Sequence, residues 1–120
     1  MPTEEQYIKM VNNKTSVLPR VCMRMISIIL DLPFEKQQAI IDYIEKLGIA
    51  FQIQDDIIAV TSELYSAERG TIGEDIHEGK RTLMVVNACA SDPKKGARLE
   101  EILNMKTEDE KLIKEAIGIL

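Results

Sequence analysis

The 120-residue sequence has the composition of an ordinary globular domain, with 45% hydrophobic and 29% charged residues. Its formal net charge is −5 and its 15 basic residues are scattered along the chain, which argues against nucleic acid as a partner. No run approaches the roughly 18 apolar residues that span a bilayer, so we expect no membrane span. Cys22 and Cys89 both lie in apolar runs, which predicts reduced and buried thiols and, with them, a cytoplasmic protein.

Apolar residues recur at helical spacing along nearly the whole chain, and this pattern predicts an all-α fold. Thr3 and Gln6 have the spacing of a capping box that opens a first helix. Pro19 predicts that this helix ends or kinks near Val17–Leu18. The apolar run over residues 20–30 predicts a mostly buried second helix.

The longest helical pattern runs from Phe34 to about Val60, and its apolar stripe predicts the centre of the core. The stripe consists of Ile40, Ile41, Ile44, Leu47 and Phe51. Residues 61–81 differ because glycines are spaced among charges, at Gly70, Gly73 and Gly79. Such a composition is typical of a long functional loop.

Three further helix signals follow this segment. The apolar run over residues 82–90 predicts a buried helix. Asp92 followed by Pro93 predicts the cap and first turn of the next helix. Thr107 with Glu110 predicts a capping box for the last one.

The long helix carries the most informative polar residues. Gln52, Asp55, Asp56 and Ala59 fall at i, i+3, i+4 and i+7, so they share one face. Adjacent carboxylates in an apolar helix are costly to bury without a cationic partner. Magnesium fits this need, because it is commonly held by one or two carboxylates together with substrate phosphates. A solvated helix end is the alternative, and spacing alone favours neither.

Three segments together resemble the trans-polyprenyl diphosphate synthases, which include the farnesyl and geranylgeranyl diphosphate synthases. They are KT at 14–15, FQIQDD at 51–56 and GTIGEDIHEGKRTL at 70–83, in the order and approximate spacing of that family. The resemblance extends from about Gln6 to Leu120. It implies an antiparallel helical bundle of the isoprenoid synthase type.

The resemblance also implies an activity, in which an allylic diphosphate is condensed with isopentenyl diphosphate with Mg²⁺ as cofactor, in a homodimer. Asp55 and Asp56 resemble the family's magnesium ligands. Lys14 and Thr15 resemble contacts to the diphosphate, Gln52 resembles a residue that lines the pocket, and Lys80 resembles the lysine that reaches the leaving phosphate. Lys14, Thr15 and Lys80 are accordingly the catalytic candidates.

The sequence departs from the family pattern at three places. Ala59 stands where the second DDxxD motif has its last aspartate, and Arg69 is the nearest basic candidate for another loop lysine. The family's first aspartate-rich motif does not occur in these 120 residues. We therefore expect residues 1–120 to be the C-terminal portion of a polyprenyl synthase domain, inactive alone. The alternatives are a non-catalytic regulatory subunit and an inactive helical fragment. The resemblance also implies that the residues which set product length lie next to the missing first motif, so these 120 residues do not indicate that length.

Overall fold

The computed structural model describes residues 1–62 and 73–120. The helices are α1 (Glu4–Val11), a π-helical turn (Asn12–Ser16), α2 (Val17–Ile29), α3 (Phe34–Thr61), α4 (Glu74–His77), α5 (Leu83–Ser91), α6 (Pro93–Met105) and α7 (Glu110–Ile119). Within these ranges there is no strand, which confirms the predicted all-α class. Of the described helices, none has both the length and the apolar character needed to cross a membrane.

The chain divides into two compact units. The larger unit comprises Met1–Tyr7 and Gln54–Leu120, and the smaller unit comprises Ile8–Ile53. The larger unit holds a well-buried apolar cluster contributed by α4, α5, α6 and α7. Its buried members are Ile76, Val85, Leu99, Ile102, Leu103, Ile113 and Ala116.

Two predicted helix starts in the larger unit are confirmed. The Thr3 N–H donates to Gln6 Oε1 at 2.9 Å, and the Gln6 N–H donates to Thr3 Oγ1 at 3.2 Å, which is the reciprocal pattern of a capping box. At α6, the Asp92 carboxylate accepts from the two N–H groups at positions 94 and 95, and Pro93 occupies the first turn.

The predicted cap of the last helix is wrong by two residues. Asp109 is the residue that caps α7, since its carboxylate accepts from the Lys111 N–H at 2.8 Å. The Thr107 hydroxyl instead accepts from the Asp109 N–H at 3.0 Å and so orders the turn before the helix. A carboxylate also suits the positive end of the helix dipole, which favours Asp109 over Thr107 as the cap.

The predicted break at Pro19 takes a different form in the smaller unit. The chain stays helical but widens into a π turn over Asn12–Ser16, and α2 begins at Val17. Proline lacks an N–H and its ring crowds the carbonyl one turn earlier, so a widened turn before Pro19 relieves that crowding. The helix is therefore modified at this proline and does not end there.

Burial in the smaller unit was predicted wrongly. Ser27 is the buried residue of α2, while Cys22 and most of the apolar side chains of this helix are exposed. On α3, Ile41 is buried, but Leu47 and Phe51 of the predicted stripe are exposed. Periodicity identified these helices correctly, but it could not reveal which of their apolar faces are covered within the chain.

The glycine-spaced segment is not loop throughout. Helix α3 continues to Thr61, and residues 74–77 form the short helix α4. Gly70 lies outside the described residues. His77 is partly buried on α4, with Nδ1 at 3.2 Å from the Thr107 carbonyl oxygen.

Candidate functional site

The candidate residues fall in both units. Lys14, Thr15 and Gln52 belong to the smaller unit, and Asp55, Asp56 and Lys80 belong to the larger one. Arg69 lies outside the described residues, so its proposed contact stays a prediction.

In the smaller unit the structure brings Thr15 and Gln52 together. The Thr15 hydroxyl donates to Gln52 Oε1 at 2.8 Å, which joins the π turn to α3. Lys14, its neighbour on the π turn, is exposed. The Thr15 hydroxyl and the Gln52 carboxamide therefore lie side by side, and the residue before Thr15 carries a solvent-accessible ammonium.

A close approach of the two backbones makes this contact possible. The buried Ser16 hydroxyl donates to the Glu45 carbonyl oxygen at 3.2 Å, and a Cβ added at Gly48 would collide with Ser16 Oγ. Glycine in a helix interior costs roughly 1 kcal/mol relative to alanine, so Gly48 lowers the helix propensity of α3 but permits the close approach to Ser16. Gln52 is one turn further along α3, where it meets Thr15.

A polar network also fixes the π turn on its flank. The Glu45 carboxylate accepts from Asn12 Nδ2 at 2.5 Å and from Arg20 Nη1 at 3.0 Å. Asn12 begins the π turn and Arg20 lies in the first turn of α2, so one carboxylate ties the start of the π turn and the start of α2 to α3.

In the larger unit, Asp56 is buried and has a tyrosine as its partner. Asp56 is 8% exposed and Tyr7 is 3% exposed, and the Tyr7 hydroxyl donates to Asp56 Oδ2 at 2.6 Å. This length is typical of a charge-assisted hydrogen bond. Burial, then the hydrogen bond to Asp56 and the charges of Asp56 and Asp75, raise the pKa of Tyr7 above its usual value. At neutral pH the phenol is therefore a hydrogen-bond donor.

The neighbours of Asp56 on α3 differ in exposure. Asp55 is partly buried, whereas Ala59, one turn beyond Asp55, is buried. The methyl group at position 59 adds no third oxygen ligand to this helix face. Two carboxylates are thus what α3 offers here.

Lys80 is presented by a specific turn that ends α4. The Lys80 N–H donates to the Asp75 carbonyl at 2.9 Å, and the Gly79 N–H donates to the Ile76 carbonyl at 3.0 Å. This pair of bonds is a Schellman motif, with Gly79 at its left-handed position, where φ is +71°. A Cβ at Gly79 would also crowd the Leu103 carbonyl oxygen, so glycine is required twice over.

The turn brings the Lys80 side chain back to its own helix. Lys80 Nζ lies 2.5 Å from Asp75 Oδ1 and 2.8 Å from Glu78 Oε2. Asp75 is almost fully buried, while Glu78 is exposed. Burial of the ammonium opposes the shift, but the hydrogen bonds to Asp75 and Glu78 raise the pKa of Lys80 above its usual value. Lys80 is therefore cationic and anchored at neutral pH.

Sequence reasoning missed Asp75 and the polar role of Tyr7. Asp75 was hidden because residues 61–81 were interpreted as loop, although glycine following a run of charged residues is itself a helix-stop signal. Tyr7 fits the apolar face of an amphipathic α1, and nothing in that pattern reveals what its hydroxyl meets. The two residues link the candidates, since Asp75 holds Lys80 and its charge acts on Tyr7, which holds Asp56.

Among the residues that the structure describes, no cluster of three or more His, Cys, Asp or Glu side chains could hold a metal ion. The described residues therefore do not form a metal site in which protein side chains supply most of the ligands. Asp55 and Asp56 fit a more modest requirement, that of a magnesium ion which takes its remaining ligands from water and phosphate.

Comparisons with known proteins agree with one another. The sequence model of the polyprenyl synthetase family matches residues 1–120. The chain is 37% identical over 119 residues to a geranylgeranyl pyrophosphate synthase of Apiospora sacchari and 36% identical over 120 residues to a short chain isoprenyl diphosphate synthase of Methanocaldococcus jannaschii. A geranylgeranyl pyrophosphate synthase of Aspergillus fumigatus is 37% identical over 119 residues.

Each of these matches covers 99% of the chain but only 34%, 36% and 32% of the respective relative. The chain thus spans about a third of the length of the curated relatives that it matches. No solved structure matched the chain.

Proposed function

The chain belongs to the polyprenyl synthetase family, and from that premise we propose that it contributes to the active centre of a prenyl diphosphate synthase. The reaction is the condensation of an allylic diphosphate with isopentenyl diphosphate, in a homodimeric enzyme of the geranylgeranyl or farnesyl type. The names of two relatives support the geranylgeranyl class. The observation that carries the proposal is that one compact unit holds both a buried carboxylate, Asp56, and an anchored ammonium, Lys80.

A diphosphate needs both kinds of group. Asp55 and Asp56 would hold Mg²⁺, which supplies charge neutralisation for the departing pyrophosphate. Lys80 would place a second positive charge on the phosphate oxygens, where negative charge develops as the bond to the allylic carbon breaks. Glu78 is the exposed partner of Lys80, so an incoming phosphate would displace Glu78 more easily than the buried Asp75.

The smaller unit would contribute diphosphate contacts of its own. Lys14 offers an exposed ammonium and Thr15 a hydroxyl, both suited to phosphate oxygens. The hydrogen bond from Thr15 to Gln52 fixes the orientation of both side chains. Gln52 would then line the substrate pocket with a carboxamide of defined orientation.

A non-catalytic subunit of such an enzyme is the second candidate, and Ala59 is the observation that favours it. The buried alanine leaves the second aspartate-rich motif with two carboxylates instead of three. Weaker metal binding would follow, and a regulatory partner could tolerate that loss. Stimulation of an active synthase by a chain that makes no product of its own would support this alternative.

Calorimetric titration of the 120-residue chain with pyrophosphate, with and without Mg²⁺, tests the proposal. We expect weak binding that depends on Mg²⁺ and is measurably weaker in Asp56→Asn and in Lys80→Ala. Lys114→Ala is the matched control, because Lys114 is an exposed lysine paired with Glu110 on α7. Binding that is independent of Mg²⁺, or equal in all four proteins, would refute the assignment.

A radiolabelled isopentenyl diphosphate assay tests the chemical step. We expect no prenyl transfer by the 120-residue chain alone, because it supplies carboxylates from one aspartate-rich motif. When catalytic groups act together, the loss of some of them usually abolishes most of the rate that the whole set provides. Product formation by this chain would require a second metal cluster and would overturn this part of the proposal.

A further inference from the structure

The Tyr7 hydroxyl has a buried polar partner that its packing role does not require. Tyr7 lies in α1 and is 3% exposed, so a phenylalanine would fill the same space. The hydroxyl nevertheless reaches Asp56 Oδ2 at 2.6 Å, across 49 residues of sequence. A buried hydroxyl placed this closely on a carboxylate orients that carboxylate.

The position of Tyr7 is itself well determined. The capping box between Thr3 and Gln6 fixes the first turn of α1, and the Tyr7 N–H donates to the Thr3 carbonyl at 3.0 Å. The phenol ring is packed within the larger unit. A donor held at both its backbone and its ring can hold the group that it contacts.

The chemistry of the donor matters as well as its position. A phenol is neutral, so its hydrogen bond orients the carboxylate without cancelling the charge that a metal ion requires. Asp75, in the same unit, contrasts with this arrangement because its carboxylate pairs with the Lys80 ammonium. Groups that hydrogen-bond a metal ligand commonly set its orientation and its affinity for the ion.

We propose that Tyr7 is a positioning residue for the magnesium-diphosphate site, holding the Asp56 carboxylate in the orientation that binds the metal. This inference rests on the proposed function, since it requires that Asp56 is a ligand. Tyr7 touches neither the metal nor the substrate. It acts through Asp56 alone, and this restriction makes the inference testable.

The main test is a double-mutant cycle read by calorimetric titration of Mg²⁺ in the presence of pyrophosphate. Tyr7→Phe removes only the hydroxyl, and we expect Mg²⁺ affinity to fall by about 10- to 100-fold, as for other partners of metal ligands. In the Asp56→Asn background the same substitution should change affinity less than about twofold, since the residue through which it acts is already altered. Tyr43→Phe is the matched control, because Tyr43 is 64% exposed on α3.

Two outcomes of the cycle overturn the inference while leaving the proposed function intact. One is a Tyr7→Phe protein that binds Mg²⁺ and pyrophosphate as tightly as the wild type and Tyr43→Phe. The other is an equal loss of affinity with and without Asp56, which would mean that Tyr7 acts through general packing. If Asp56→Asn alone binds like the wild type, the metal assignment itself fails, and the positioning role fails with it.

A second measurement covers the case in which Tyr7→Phe does not fold. The wild-type chain labelled with 3-fluorotyrosine gives one fluorine resonance for each of its three tyrosines, assigned through phenylalanine variants at Tyr43 and Tyr65. Addition of Mg²⁺ and pyrophosphate should shift the Tyr7 resonance and leave that of Tyr43 in place. An unshifted Tyr7 resonance under saturating ligand would overturn the inference.

Discussion

The two units support their polar groups in different ways. In the larger unit, two candidate side chains have buried partners: Asp56 is bound by Tyr7, and Lys80 is bound by Asp75. In the smaller unit, the polar contact between Thr15 and Gln52 is only partly buried and depends on a close approach of backbones. Among the candidate residues, the larger unit thus holds two charged groups by buried partners, and the smaller unit holds two neutral polar groups through close helix packing.

The largest effect should come from removing a carboxylate of the larger unit. In a form of the protein that is competent for prenyl transfer, Asp55→Ala should lower turnover by about 100- to 1,000-fold, because one stabiliser of the developing charge is lost. Steady-state kinetics with an allylic diphosphate measure this. Asp42→Ala on the same helix is the control, since Asp42 is exposed. Unchanged turnover in Asp55→Ala would contradict the site assignment.

The support of Lys80 should depend on Asp75 more than on Glu78. Asp75→Asn removes a buried charge partner, and we expect the free energy of unfolding to fall by about 1–2 kcal/mol, a value reduced from that of fully buried pairs because Lys80 is partly exposed. Glu78→Gln should cost less than about 0.5 kcal/mol. Urea denaturation compares the two, and equal losses would show that burial of Asp75 does not matter.

In the smaller unit, we expect the largest loss of stability from a substitution at Gly48. Gly48→Ala forces a methyl group onto Ser16, and the overpacking cost of about 1–3 kcal/mol should exceed the helix-propensity gain of about 1 kcal/mol. Gly118→Ala on α7 offers a control of opposite sign. Nothing lies within 4 Å of the added methyl there, so this variant should be more stable than the wild type. Melting temperatures of both variants separate the steric cost of the added methyl group at position 48 from the gain in helix propensity.

The smallest effect should appear at an exposed ion pair between α6 and α7. The Arg98 guanidinium donates two hydrogen bonds to Glu115, and this holds the pKa of Glu115 below its usual value. A lowered pKa in the folded state stabilises the protein above the unfolded-state pKa of about 4.5 and loses that contribution as pH falls through the folded-state value. As the pH is lowered, the melting temperature of Glu115→Gln should therefore fall slightly less than that of the wild type. A larger fall than in the wild type would contradict the direction of the pKa shift.

Helix bounds were the more predictable part of the fold. The long helix was expected from Phe34 to about Val60 and is observed as Phe34–Thr61. The caps at Thr3 and Asp92 were also predicted correctly, because both signals act through hydrogen bonds within three residues. Burial of α2 was predicted wrongly, since an apolar face in sequence does not say what covers it.

The candidate site was predictable as a set of residue types but not as a set of partners. Asp55 and Asp56 stood out because charges interrupt an apolar helix, and Lys80 stood out through its place in the segment that resembles the family's EGK motif. Their roles as ligands stay predictions. Tyr7 could not be identified as a partner, because a hydrogen bond across 49 residues leaves no local pattern. Asp75 was missed because residues 61–81 were interpreted as loop, although it lies only five residues from Lys80.

The Schellman turn at Gly79 has a consequence for how an anion would be captured. Because the backbone that carries Lys80 is hydrogen-bonded to α4 at two places, its conformation is fixed in the folded chain. Ordering a residue costs roughly 1–2 kcal/mol in backbone entropy, and at Lys80 this cost falls on folding and not on ligand capture. An arriving phosphate has only to compete with Glu78 for the ammonium, so a short turn can deliver a charge that a mobile loop would deliver more weakly.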